Sequence, residues 1–412
     1  MAIAVVETVN FGLRYLVEAA AGRGHEVILL TGDRSRYTYE FSSGLADEID
    51  IIDIDTTDVD KMVEILREVP DLAGVVRMTD RWSLQALAVA QRLGLPYQSA
   101  AAVELMRNKA LLRRHLYDNG FSRSPGLTVH PRTADLEELT RILPFPCVVK
   151  DVAGSASQNV WLVRNSKELA CVLTVAREAD DLRGEALAVE PYFIGPMYSA
   201  ETVSWKGETK IIGVSSRALS PEPYFREEIS SFPVLFPEAK QAALAEWISE
   251  ILSSVDYDGV THTEFIVTTE GFEIVEINAR IGGALIGECV NRSLGINFHS
   301  AFVDLALGRR PQVMDIRPEI RQGATAVAIY APRTGVFEAI DGTGTLSDHP
   351  GAPELYLGRS SGEVIPTTID QRGGIGLVIA NGETAELSLQ NAMSAAGKLT
   401  VRMRGGSRAQ DV

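Results

Sequence analysis

The stretch His262–Gly283, HTEFIVTTEGFEIVEINARIGG, decides the fold, because two strand-forming runs in it carry carboxylates among apolar side chains. Val, Ile and Phe dominate both runs, and Thr269-Glu270-Gly271 separates them. That pattern predicts a β-hairpin with a three-residue loop and the glycine in its left-handed position. Setting Thr268 opposite Phe272 brings Glu264 opposite Glu276, and a glycine bulge would shift this register by one residue. Alternation then places His262 and Glu264 on one face, with Glu276, Asn278 and Arg280 along the same side. Like charges facing each other across a hairpin destabilise it, by roughly 4 kcal/mol at a separation of about 4 Å and an effective dielectric of about 20. Either one glutamate turns to solvent or to Arg280, or a cation sits between the two. Without a cation, losing one carboxylate should raise the melting temperature. An all-oxygen set of two carboxylates and the Asn278 carbonyl suits Mg²⁺, whereas zinc would ask for Cys or His.

Composition narrows the class. A chain of 412 residues is too long for one core and predicts several subdomains. Its net charge of −16 excludes a generally basic nucleic-acid surface, while leaving room for a local cationic pocket. Cys147, Cys171 and Cys289 are too scattered for a disulfide framework or a zinc site, and read as small buried residues in a reducing compartment. The opening MAIAVVETVNFG has no basic flank and is interrupted by Glu7, so a signal peptide is not expected. No apolar run is long enough to span a membrane. The expected location is the cytoplasm, with neither nucleic acid nor membrane as partner.

Working outward from the hairpin, the first hundred residues alternate strand and helix, which implies a parallel sheet covered by helices, without a G-x-G-x-x-G turn. Residues 101–120, AAVELMRNKALLRRHLYDNG, predict one helix ending at Asn119-Gly120. In PFPCVVKDVAGSASQNVWLV a strand ends at Lys150 and the small-residue loop 154–159 follows; it is either a plain turn or a backbone cradle for phosphate. The proline-rich stretch 218–237 lacks clean periodicity and predicts a long loop. A helix is expected at 238–254, a β-rich segment from 311 to about 380, and a last helix in TAELSLQNAMSAAGKL.

The order of these motifs resembles an ATP-grasp carboxylate–amine ligase of the L-amino-acid ligase type, over residues 1–310. The resemblance implies an α/β (α+β ATP-grasp) fold in four units: an N-terminal α/β domain at 1–105, a small lobe at 106–186 with a flap at 151–160, a large lobe at 187–310, and a β-rich extension at 311–412. It implies that Lys109, Lys150, Ser155 and Ser157 meet the phosphates of ATP, and that Glu190 and Phe193 in AVEPYFIGPMYS meet adenine. Glu264, Glu276 and Asn278 would hold Mg²⁺ (Mn²⁺ serving as a substitute), Arg280 would stabilise the migrating phosphoryl group, and Gly283 would approach the carboxylate. Met197 and Pro191 depart from acidic residues common in that family, which puts the ribose contact in question.

The stretch SSRALSPEPYFREEISSFP is similar in position to a substrate loop, with Arg217 and Arg226 for a carboxylate and Glu227 or Glu228 for an amine. His262 is either a phosphate contact or a structural strand residue. The implied activity joins a small-molecule carboxylate, activated as an acyl phosphate, to an amine, with a homodimer left open. The alternatives are a bicarbonate-phosphorylating enzyme of the carboxylase or carbamoyl-phosphate type, and a non-catalytic nucleotide-binding protein.

Overall fold

The structure is a computed structural model that describes residues 1–179, 182 and 185–405. The alternating opening folds into a parallel sheet with strand order Asp50–Asp53, Glu26–Thr31, Ala2–Val6, Leu72–Val76. Ala2–Val6 is buried along its whole length, which is why its sequence shows no polar alternation. The chain first winds to one side of this strand and then returns on the other. The loops at the carboxyl ends of Ala2–Val6 and Leu72–Val76 therefore part and leave a crevice, where doubly wound sheets bind ligands.

The single helix expected at 101–120 is two, Ala100–Arg107 and Lys109–Asp118. Asn108 breaks it with an extended backbone, and its side-chain oxygen accepts the otherwise orphaned N–H groups of Ala110 and Leu111. The break turns Lys109 toward the middle of the molecule, where its own N–H donates to the Val152 carbonyl at 2.9 Å.

A four-stranded antiparallel sheet follows, in the order Leu127–Val129, Leu187–Pro191, Cys147–Asp151, Val160–Val163. The third sheet has eight strands, in the order Gly271–Asn278, Gly259–Thr268, Met197–Trp205, Glu208–Leu219, Glu227–Phe232, Gly323–Tyr330, Gly374–Gly382, Glu354–Leu357. One face of its hairpin, with Phe265, Ile274 and Ile277, packs on the helix Glu238–Ser254 through Leu244, Ile248 and Ile251. Each such buried side chain contributes about 1.5–3 kcal/mol. The opposite face is left for polar residues.

Two expectations need correction here. The proline-rich stretch is not one long loop: Glu227–Phe232 lies inside the large sheet, between Glu208–Leu219 and Gly323–Tyr330. Its buried residues include Ser230 and Ser231, whose hydroxyls conceal a buried strand from a hydrophobicity reading. The large sheet continues across residue 310, since Glu227–Phe232 pairs directly with Gly323–Tyr330. Cys171 is exposed on the helix Ser166–Glu178, while Cys147 and Cys289 are buried as expected. The end of the proposed C-terminal unit, 406–412, lies outside the described residues, as do 180, 181, 183 and 184 of the small lobe. Among the described residues, no helix is long and apolar enough to cross a membrane.

Candidate active site

The hairpin brings Glu264 opposite Glu276 and His262 opposite Asn278. It reaches this register by a different route from the one expected. Thr268 pairs with Gly271, not Phe272, so the turn is one residue shorter, and an extra residue, Val275, restores the count before Glu276. The bulge also frees the Val275 carbonyl, which accepts a hydrogen bond from Lys150 Nζ at 3.2 Å.

Both glutamates line a cavity of about 1230 Å³ that runs between the parallel sheet, the flap and the large sheet. Cations meet each of them. Lys109 Nζ lies 3.2 Å from Glu276 Oε2 and donates to the Gly154 carbonyl of the flap at 2.6 Å, so one side chain ties flap to hairpin. Asn278 Nδ2 donates to Glu276 Oε1 at 2.8 Å. Burial pushes the Glu276 carboxyl up, but Lys109, the Asn278 amide, Lys150 and Arg280 outweigh it and hold the group well below the usual carboxylate range. Glu264 is approached by Arg217 Nη1 at 3.7 Å and by His262 Nε2 at 3.1 Å.

His262 spends both ring nitrogens, on Glu264 and on Glu201 at 2.5 Å. Burial alone would pull its pKa down; Glu201 and Glu264 push it up to about 9, so the ring is an imidazolium. It therefore clamps Glu264 in place, and nothing of it is left for a substrate. Arg217 is likewise no substrate-loop residue: it is buried in the strand Glu208–Leu219, paired with Glu227 and Glu264. Arg226 and Glu228 leave the cavity altogether, because alternation along Glu227–Phe232 sends Glu227 inward and its neighbours outward. Arg226 instead donates to the Thr368 carbonyl at 2.5 Å, pairs with Glu228 at 3.1 Å and stacks 4.4 Å from the Tyr330 ring.

Glu190 and Phe193 both line the cavity. Glu190 is held in a buried triad by Arg113 Nε at 2.9 Å and by Lys150. Burial pushes its carboxyl up, yet Arg113 and Lys150 bring it below its ordinary value. For Lys150 the balance runs the other way: burial, Arg113 and Lys109 lower its amine more than Glu190 raises it. The Arg113 guanidinium lies 5.1 Å from the Phe193 ring.

In the flap, Ser155 and Ser157 face the same cavity, and Ser157 Oγ donates to the Phe225 carbonyl at 2.7 Å. Ala156 and Ser157 have φ of 58° and 56° without being glycine, a backbone held by its surroundings. Arg280 is paired with Asp80 of the parallel-sheet domain, and its Nη1 donates to the Ile281 carbonyl at 2.8 Å.

The two glycines after it differ. A Cβ on Gly282 would stand 2.7 Å from His262 Nδ1 and 2.8 Å from Ile286 Cδ1, whereas one on Gly283 would meet nothing within 4 Å. Gly282→Ala is expected to lose about 1–3 kcal/mol of stability by displacing the His262 clamp. Gly283→Ala should melt as the wild type does while obstructing the cavity, and equal melting curves for both would contradict this packing.

Sequence reasoning missed Asp80, Arg113 and Glu201. Glu201 carried a usable signal, a carboxylate inside the apolar strand Met197–Trp205, the same anomaly that exposed the hairpin. Asp80 and Arg113 carried none, since a charged residue in a loop or on a polar helix is ordinary.

Residues 143–288, which hold Lys150, the flap, Glu190 and the hairpin, match the family model described as an ATP-grasp domain. That stretch is an ATP-grasp domain. Residues 327–404 match a second model, the L-amino acid ligase C-terminal domain 2. Among curated relatives, an uncharacterized protein of Sinorhizobium fredii is 25% identical over 391 residues, 92% of this chain and 78% of its own length. Human carnosine synthase 1 is 27% identical over 251 residues, covering 56% of this chain and 30% of that enzyme. The fold is that of the L-amino acid ligase from Bacillus licheniformis, with a TM-score of 0.82, 21% identity, and coverage of 98% and 99% of the two chains.

A divalent cation fits the residues present. Among the described residues, no cluster of three or more His, Cys, Asp and Glu side chains is gathered for a metal. Glu264, Glu276 and the Asn278 side-chain oxygen are hard oxygen donors facing one cavity, the kind of set that suits Mg²⁺ together with phosphate oxygens.

Proposed function

We propose that this chain is an ATP- and Mg²⁺-dependent ligase that activates a substrate carboxylate as an acyl phosphate and joins it to an amine, with an amino acid as one substrate. The observation that carries this reading is the Glu264–Glu276 pair facing one cavity, with Lys109 bridging from Glu276 to the flap. The family matches and the names of the similar ligases support the choice of substrate class.

In this reading Lys109, Lys150 and the flap hold the phosphates, and Glu190 and Phe193 flank the adenine. Glu264, Glu276 and Asn278 hold Mg²⁺, which supplies neutralisation of phosphate charge. A carboxylate oxygen attacks the γ-phosphorus, the bond to the β-phosphate oxygen breaks, and ADP leaves. The amine then attacks the acyl carbon, loses a proton, and inorganic phosphate departs. The chain contributes alignment and electrostatics, not a covalent nucleophile. Arg280, oriented by Asp80, faces the charge that builds on the transferring group. We divide the chain functionally as 1–105, 106–186, 187–310 and 311–412, with the last unit furnishing part of the cavity wall.

The test uses purified protein, ATP, Mg²⁺ and amino acids in pairs. ADP and phosphate should form when both a carboxylate and an amine are present, and oxygen-18 in the carboxylate should appear in the released phosphate. AMP with pyrophosphate as products would sink the mechanism, and ADP release driven by bicarbonate alone would sink the substrate class.

A further inference from the structure

The loops that follow Glu26–Thr31 and Leu72–Val76 carry Arg36 and Arg81 into the cavity wall, at the crevice where the parallel sheet changes winding direction. Both guanidinium groups lie over one indole. Arg36 Cζ is 4.7 Å and Arg81 Cζ 4.9 Å from the ring centroid of Trp82, which is itself 6% exposed. A flat, fixed ring orients each guanidinium fork without consuming its N–H donors.

Several cations on this cavity are matched by carboxylates, Lys109 by Glu276, Lys150 by Glu190 and Arg280 by Asp80, while Arg107 lines it with no ion pair among the described residues. Arg36 and Arg81 are set apart from Arg107 by the indole that both share. Neither forms an ion pair among the described residues, and Arg36 Nε is buried without an acceptor. The carboxylate nearest in sequence to Arg36, Asp33, accepts from Ser35 through its N–H at 3.0 Å and its hydroxyl at 2.6 Å, and it feels Arg36 only through space, without an ion-pair contact. In a chain with a net charge of −16 acidic partners are plentiful. Arg36 is half-buried and Arg81 exposed, and both reach the cavity without an ion-pair partner, an arrangement open to an incoming anion.

We propose that Arg36 and Arg81, set on Trp82, form a subsite for a free carboxylate of a substrate, one that is not the carboxylate being phosphorylated. The proposal rests on the ligase reading above and deepens it, since it requires one substrate to keep a negative charge through the reaction. Its position agrees with that role: Asp80, which holds Arg280, is the residue next to Arg81. The charge comes either from the acyl donor, as a second carboxylate, or from an amine acceptor that is an amino acid.

Binding is read from Trp82 emission, as the difference between the wild type and Trp82→Phe, with Mg²⁺ and ADP present. The probes are L-glutamate and L-aspartate, with L-glutamine and L-asparagine as neutral controls. The acidic probes should change the signal saturably, and Arg36→Gln or Arg81→Gln should each weaken their binding about tenfold or more. Arg36→Lys, which keeps the charge and loses the fork, should fall between, and melting temperatures should stay at the wild-type value. In turnover, the same variants should raise KM for the substrate carrying the free carboxylate while kcat changes little, which identifies donor or acceptor. Equal signals from acidic and neutral probes, no saturable signal, or binding unchanged in the glutamine variants would overturn the subsite. A retained acidic-probe signal in a protein that forms no ADP with any pair would instead count against the ligase reading alone.

Discussion

Glu276→Gln is expected to lower turnover by about 10²–10³-fold, the range seen when one preorganised electrostatic partner of a transition state is removed. The same substitution should also lower stability. In isolation, two facing glutamates suggest the reverse, because removing either relieves repulsion. The structure changes the sign, since Glu276 is surrounded by Lys109, the Asn278 amide, Lys150 and Arg280, and its carboxyl titrates below its ordinary value of 4.5. A folded-state pKa below the unfolded one means that the stabilisation is complete above the unfolded value. It is lost as pH falls through the folded one. The melting temperatures of wild type and variant should therefore differ most near neutral pH and converge in acid. A variant that melts higher than wild type at pH 7, or one that turns over normally at ordinary Mg²⁺ concentrations, would refute the assignment of Glu276.

The largest effect on stability is expected from Glu190→Gln. Glu190 is the carboxylate shared by Arg113 and Lys150, with side chains 2%, 5% and 7% exposed for Arg113, Lys150 and Glu190. Removing one member of a buried ion group leaves uncompensated charge and costs about 3–5 kcal/mol. Urea unfolding should show this as a lower midpoint at unchanged slope. Because the Glu190 carboxyl is held below its ordinary value, the loss should again be present at neutral pH and fade in acid. The variant also frees Lys150, so a weaker affinity for ATP should accompany it. An unfolding free energy within about 0.5 kcal/mol of wild type would show that the triad is not the anchor described, since changes that small are typical of surface positions.

Much of the site was legible because buried carboxylates are conspicuous in apolar strands. Glu264 and Glu276 stood out against Val, Ile and Phe, and period-two alternation was enough to place them across from each other even though the turn length was misjudged. Lys150 stood out at the end of an apolar strand just before the flap, whereas Lys109 was picked out only through the family resemblance. Other features resisted for physical reasons. Asn108 can lie inside a helix or cap the next one, and the choice is made by the tertiary contact of Lys109 with Val152 and the flap. The strand Glu227–Phe232 was hidden because its buried positions are serines that hydrogen-bond sideways, as Ser231 does with Thr325 at 2.8 Å. Misreading that strand as a loop then misplaced Arg226 and Glu228, since a loop has no alternation from which to tell inward from outward; Arg217 was misplaced because the strand Glu208–Leu219 runs past it.

The eight-stranded sheet carries a consequence for dissecting the chain. Glu227, which faces the cavity, belongs to a strand whose outer partner is Gly323–Tyr330. Ending the polypeptide near 310 would strip that partner away and bare a row of backbone donors and acceptors, an open edge that invites pairing between chains. The portion that resembles a catalytic core is therefore not a portable cassette. Swapping the last hundred residues for those of a relative would rebuild one wall of the reaction chamber, and any graft intended to alter substrate choice has to carry its own matching edge strand.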